Sequence, residues 1–206
     1  MSNPLLTTND ARRALNSILP SMADNGGLDN TGSERRYQSN VAMLLTNLNH
    51  LLPHQLEVEA RMLINDPTTE YFQRTSGGDG YSERIVDIVL LSKEFTGHYS
   101  RENMPAMIQQ IKMLIEIKSV NFSAPISKDK VIEDIDKLVA VREELAHKGN
   151  EGVVSVVLVF DTTRNNNHTI KPNVTSELIE IADQQDTELY IFKQSGMKST
   201  NGMKIY

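Results

Sequence analysis

Apolar residues recur along this chain with two different periods, and the switches between them predict the elements. After Tyr37, Val41, Leu44, Leu45, Leu48 and Leu52 follow at offsets of four, seven, eight, eleven and fifteen. That spacing puts them on one face of a helix. Thr31 and Glu34 have capping-box spacing at its start, and Pro53 is expected to end it. The period then changes to two. "HQLEVEARM" alternates polar with apolar residues, as a half-exposed strand does, and "ERIVDIVLLS" reads as a second strand beyond the turn-rich "QRTSGGDGYS". The pattern assigns no element to "KEFTGHYSRENMP". "IKMLIEIKSV" is a third strand. Ser127 is placed as a helix N-cap, and Val131, Ile132, Ile135, Leu138, Val139 and Leu145 predict a helix over 128–147. "GVVSVVLVF" is almost entirely apolar, which suits a strand covered on both faces. "TSELIEIADQQD" predicts a short amphipathic helix, and "TELYIF" a last strand.

The order helix, three strands, helix, strand, helix, strand predicts an α/β fold. The first three strands can form an antiparallel meander, and the helix after them serves as a crossover to a parallel neighbour. The sheet is then mixed, with helices on its faces. Three regions are expected: an N-terminal extension over 1–33, a domain over 34–193, and a polar, loose tail over 194–206. The extension holds a short helix near Asn9–Leu19 that stops at Pro20, then a linker-like "SMADNGGLDNTGS".

Composition changes the picture in three ways. A net charge of −6 excludes a global basic field that would hold nucleic acid by charge alone. The absence of cysteine excludes disulfides and thiolate metal sites. The N-terminal residues contain no long apolar run, so neither a signal peptide nor a membrane span is expected, and the expected location is intracellular.

Three charges sit where the pattern predicts core. Asp87 lies between Val86 and Ile88, and Glu116 and Lys118 lie in "IKMLIEIKSV". Charged groups are seldom buried without partners. Alternation puts Glu116 and Lys118 on one face, and Asp87 comes close to them if the two strands are neighbours. Two carboxylates make an oxygen-rich site for Mg²⁺ or Mn²⁺, with the backbone carbonyl of Ile117 as a further ligand. Such a cation activates water and offsets phosphate charge, while a lysine orients or deprotonates that water. Glu34 precedes Tyr37 by three residues, so it falls on the apolar face of its helix and is aimed at the sheet. Arg35 and Arg36 flank it in sequence as candidate phosphate contacts.

This arrangement resembles the PD-(D/E)xK nuclease superfamily, which includes many type II restriction enzymes, Holliday-junction resolvases and viral cap-snatching endonucleases. The resemblance covers about Glu34 to Phe192. It implies a restriction-endonuclease-like α-β-β-β-α-β core carrying an extra C-terminal helix and strand. It implies that Asp87 and Glu116 are metal ligands, that Lys118 is catalytic, and that Glu34 assists, with Gln38 a helper one turn on. Val86 stands where the family's signature proline would be, and the helix after Lys118 shows no obvious basic or glutamine marker of a subfamily. The implied activity is metal-dependent hydrolysis of phosphodiester bonds by an endonuclease, in DNA rather than RNA, with a homodimer suited to so small a chain. A catalytically inactive binding or assembly module on the same fold is the alternative. A cap-snatching RNA endonuclease ranks below both, because Glu34 occupies the region where those enzymes carry a histidine ligand.

Other polar residues read as structural. Asp161, at the end of a buried strand, is expected to begin a turn. His50 and His54 have metal-ligand spacing, but Pro53 between them breaks the helix, which makes them loop histidines. Met43, Met107 and Met113 are expected to fill core.

Overall fold

The computed structural model describes residues 7–24, 33–64, 82–97, 103–120, 125–161, 169–193 and 196–200. Five helices and six strands run in the order α1 (Thr8–Asp24), α2 (Glu34–Asn49), β1 (Leu56–Ile64), β2 (Ser82–Leu91), α3 (Met104–Gln110), β3 (Ile111–Ser119), α4 (Lys128–His147), β4 (Val154–Asp161), α5 (Pro172–Gln184), β5 (Thr187–Lys193) and β6 (Gly196–Ser199) among these residues. The strands form one sheet in sequential order. β1, β2 and β3 are an antiparallel meander, β3, β4 and β5 are parallel neighbours, and β6 closes antiparallel on β5. The fold is thus α/β with a mixed sheet, as the pattern of periods predicts.

Strand alternation sorts the core into two clusters. Met113, Ile115 and Ile117 of β3 face one side and pack with α1 and α2. Ile111 and Leu114 face the other side and pack with α3, α4 and α5. Every residue of β4 is buried, which matches its continuous apolar sequence. A stack of rings locks α2 to the sheet. Tyr37 lies 4.3 Å from Phe160, which lies 4.9 Å from Phe192.

Several elements differ from expectation, each for a physical reason. α1 does not stop at Pro20 but continues to Asp24 with the proline inside it. Leu19 and Met22, on either side of Pro20, are both buried, and their burial outweighs the lost backbone bond. α1 also packs into the same cluster as α2, so the N-terminal segment shares the core of the domain. α2 ends at Asn49, before Pro53, because His50 takes a left-handed conformation with φ 51° and its N–H returns to the Thr46 carbonyl. α3 starts at the end of the segment to which the pattern assigns no element and runs on to Gln110. The tail expected to be loose provides β6, whose Ser199 is buried and whose Met197 packs on the core. Met43 is half exposed on α2, while Met107 and Met113 are fully buried. The "GGDG" turn lies outside the described residues.

Candidate functional site

The site forms where β2 and β3 part. Their ladder runs from Leu91↔Ile111 to Ile88↔Ile115 and goes no further toward Asp87. On the other side of β2, the pairs Val58↔Ile88 and Ala60↔Val86 flank Asp87, but Glu59, opposite Asp87, takes φ 53° and is missing from the ladder. A non-glycine residue with such a backbone is a local strain, and here it sits beside the half-buried Asp87. The Asp87 backbone groups therefore find side-chain partners. Its carbonyl accepts from Gln38 Nε2 at 3.0 Å, and its N–H approaches Glu116 Oε1 at 3.4 Å. Its carboxylate replaces a missing rung, since Oδ2 accepts the Ile117 N–H at 2.7 Å. A strand residue sends its N–H and carbonyl to the same edge, so the Ile117 carbonyl faces the opening too.

Glu116 and Lys118 lie on the α4 face of β3, as alternation requires. Glu116 is only 3% exposed. Its Oε2 is 2.7 Å from Lys137 Nζ of α4. Lys118 Nζ is 3.0 Å from Asp134 Oδ2 of α4 and 3.6 Å from Glu34 Oε2 at the start of α2. Lys137 also lies 3.9 Å from Asp134 Oδ1 and donates to the Ile85 carbonyl at 3.1 Å. Four carboxylates (Glu34, Asp87, Glu116, Asp134) thus share two ammonium groups (Lys118, Lys137). When all are ionised, the cluster holds two more negative than positive charges.

The electrostatics follow from that imbalance and from burial. Loss of water raises Asp87 to about 6, against the favourable Ile117 N–H, and the Glu34 charge raises it further. Loss of water raises Glu116 to about 8, although Lys137 opposes it. Burial alone would lower Lys118, but Asp134 and Glu34 outweigh it and raise the ammonium above its ordinary range.

The residues singled out from sequence are distributed as follows. Asp87, Glu116, Ile117, Lys118, Glu34 and Gln38 meet at this opening. Glu34 is not the acid of a capping box. It is the first residue of α2, with Ser33 at the N-cap, and it reaches Lys118 instead. Arg35 extends to Glu59 at 3.6 Å and stays largely exposed, and Arg36 is exposed on the first turn of α2. The sequence reading does not single out Asp134 and Lys137, which α4 brings to the same opening. Asp134 carried a readable signal, because it lies three residues after Val131 and four before Leu138, inside the apolar stripe. Asp161 is fixed by the fold. It is buried, accepts the Ile170 N–H at 2.9 Å, and lies 3.5 Å from Lys193 Nζ.

The donors are all oxygen, which suits a hard cation such as Mg²⁺ or Mn²⁺. Among the described residues no group of three or more His, Asp or Glu side chains is arranged to hold a metal ion. A cation held here would take one or two carboxylates and keep much of its water. No helix among the described residues is long and apolar enough to cross a membrane. Comparison with known proteins returns no match among family models, curated proteins or solved structures.

Proposed function

We propose that this chain is a metal-dependent nuclease of the PD-(D/E)xK type, with a restriction-endonuclease-like core, that hydrolyses phosphodiester bonds in DNA. One observation carries the reading: Asp87 and Glu116 meet across a break in the β2–β3 ladder, with Lys118 two residues further along β3. Breaking a ladder to install one buried and one half-buried acid is costly to stability, and the cost is intelligible at a site that performs chemistry.

In this reading Asp87, Glu116 and the Ile117 carbonyl would hold the cation. When bound, it supplies an activated water and offsets charge at the phosphate. The chain does the rest. The Ile117 N–H and Gln38 fix Asp87 in one orientation. Lys118 orients the attacking water and opposes the charge that builds on the phosphate. Asp134 and Glu34 keep Lys118 charged and directed at the opening. Arg35 and Arg36 stand exposed at the start of α2, able to meet the flanking phosphates. With the chain acidic overall, these local contacts and the cation replace a broad basic surface. A homodimer would supply the second strand-cutting site.

Cleavage of plasmid and oligonucleotide DNA in Mg²⁺, lost in Lys118→Ala and in Asp87→Ala, is the expected result. Cleavage that survives both substitutions rules out the assigned site. A second reading rests on a specific feature: Glu116 and Lys118 are each engaged by an α4 residue of opposite charge. Such a network could staple a non-catalytic assembly module. That reading gains if calorimetry of the intact protein detects no Mg²⁺ or Mn²⁺ binding.

A further inference from the structure

Lys137 stands out because the mechanism above makes no use of it. Its ammonium has only oxygen neighbours: the buried Glu116 carboxylate at 2.7 Å, the Ile85 main-chain carbonyl at 3.1 Å, and Asp134 at 3.9 Å. One acid, one main-chain carbonyl and a more distant second acid form the kind of donor set that a hard cation takes. The side chain is 18% exposed, and Ile85, whose carbonyl it meets, is 45% exposed.

We propose that Lys137 is a tethered counter-ion that holds Glu116 in the cation-free protein and competes with a divalent cation for it, moving off when the cation binds. This rests on the nuclease reading and adds a control to the same site. With an ammonium 2.7 Å from Oε2, a divalent ion on the same carboxylate meets a second positive charge that repels it. The seat that Lys137 moves toward is already in place. Asp134 lies one turn away on the same helix, within 3.9 Å. That seat is now shared with Lys118, which Asp134 holds at 3.0 Å.

The test is calorimetric titration of the full chain with Mg²⁺ in three forms: wild type, Lys137→Gln and Lys137→Arg. Alkaline buffer is used so that a proton competes least for Glu116. Any remaining proton competition does not reverse the sign, because a divalent ion gains more than a proton when a neighbouring positive charge is removed. Glutamine can still donate to the Ile85 carbonyl. Lys137→Gln is expected to bind Mg²⁺ about tenfold tighter than wild type, the order of effect of one ion pair that need not be broken. Lys137→Arg is expected to bind no tighter than wild type. A crystal of the wild type grown with Mg²⁺ should show Lys137 away from Glu116. Equal or weaker binding by Lys137→Gln, or an unbroken Lys137–Glu116 contact beside a bound ion, overturns the counter-ion role and leaves the nuclease reading standing. No binding by any of the three forms overturns both.

Discussion

The Asp87 carboxylate accepts the Ile117 amide at 2.7 Å, so a side chain stands in for a backbone rung between β2 and β3. That bond ties the candidate chemistry to the fold, because the same carboxylate is asked both to hold a cation and to hold two strands at a fixed separation.

Asp87→Ala should therefore lose stability as well as activity. It leaves the Ile117 N–H without its partner, which costs about 1–3 kcal/mol when such a group is buried. Asp87→Asn keeps an oxygen acceptor and is expected to unfold near the wild-type urea midpoint while cleaving no DNA. Equal midpoints for the alanine and wild-type proteins would show that the bond contributes nothing.

Asp134 positions Lys118 and does not touch the reacting atoms. Asp134→Asn is expected to lower kcat about 10- to 100-fold, the usual effect of losing such a supporting partner, while KM for DNA stays close to wild type. Asp134→Glu should restore part of the rate. An unchanged kcat in Asp134→Asn would contradict the positioning role.

The buried acids predict a pH dependence of stability whose sign is set by burial. Asp87 moves from its ordinary 3.8 to about 6, and Glu116 from 4.5 to about 8. Both values are raised on folding, so the folded chain binds more protons than the unfolded chain between the ordinary and raised values. The stability these groups contribute is complete below the ordinary carboxylate range and is lost as pH rises through about 6 and then about 8. In the absence of metal, Tm should fall across that window. Glu116→Gln should show a shallower fall at its upper end, and a variant with the wild-type slope would refute the assignment.

The ring stack of Tyr37, Phe160 and Phe192 sets the height of α2, and with it Glu34 and Gln38, above the sheet. Phe160→Ala should cost about 3–5 kcal/mol, as large-to-small changes in a core do. Thermal unfolding reads the loss, and a change within the scatter of surface substitutions would mean that the stack is not the anchor of α2.

Much of this arrangement is legible in the sequence. The helix over 128–147 has a sharp start at Ser127 and a long apolar stripe, and its bounds match α4. The uniform apolar run of β4 is equally plain. Asp87, Glu116 and Lys118 stand out because each interrupts an apolar strand. What local pattern hides is what packing decides. Pro20 reads as a stop, yet Met22 is buried beyond it. Gly196–Ser199 reads as polar tail, yet it pairs with the open edge of β5. Glu34 reads as either a cap or an inward acid, and only the helix start at Ser33 separates the two. The α4 charges are the largest gap. A lysine on a helix normally signals a solvated face, and nothing local reveals that Lys137 meets Glu116 of β3.

The central claim is that Asp87 and Glu116 are cation ligands and not merely members of an ion-pair network. Anomalous scattering from a crystal of the wild-type protein grown in Mn²⁺ tests it most directly. The account predicts at least one Mn²⁺ peak bonded to carboxylate oxygens of both Asp87 and Glu116. Clear density for both side chains with no Mn²⁺ peak between them, and Glu116 still paired with Lys137, would contradict it.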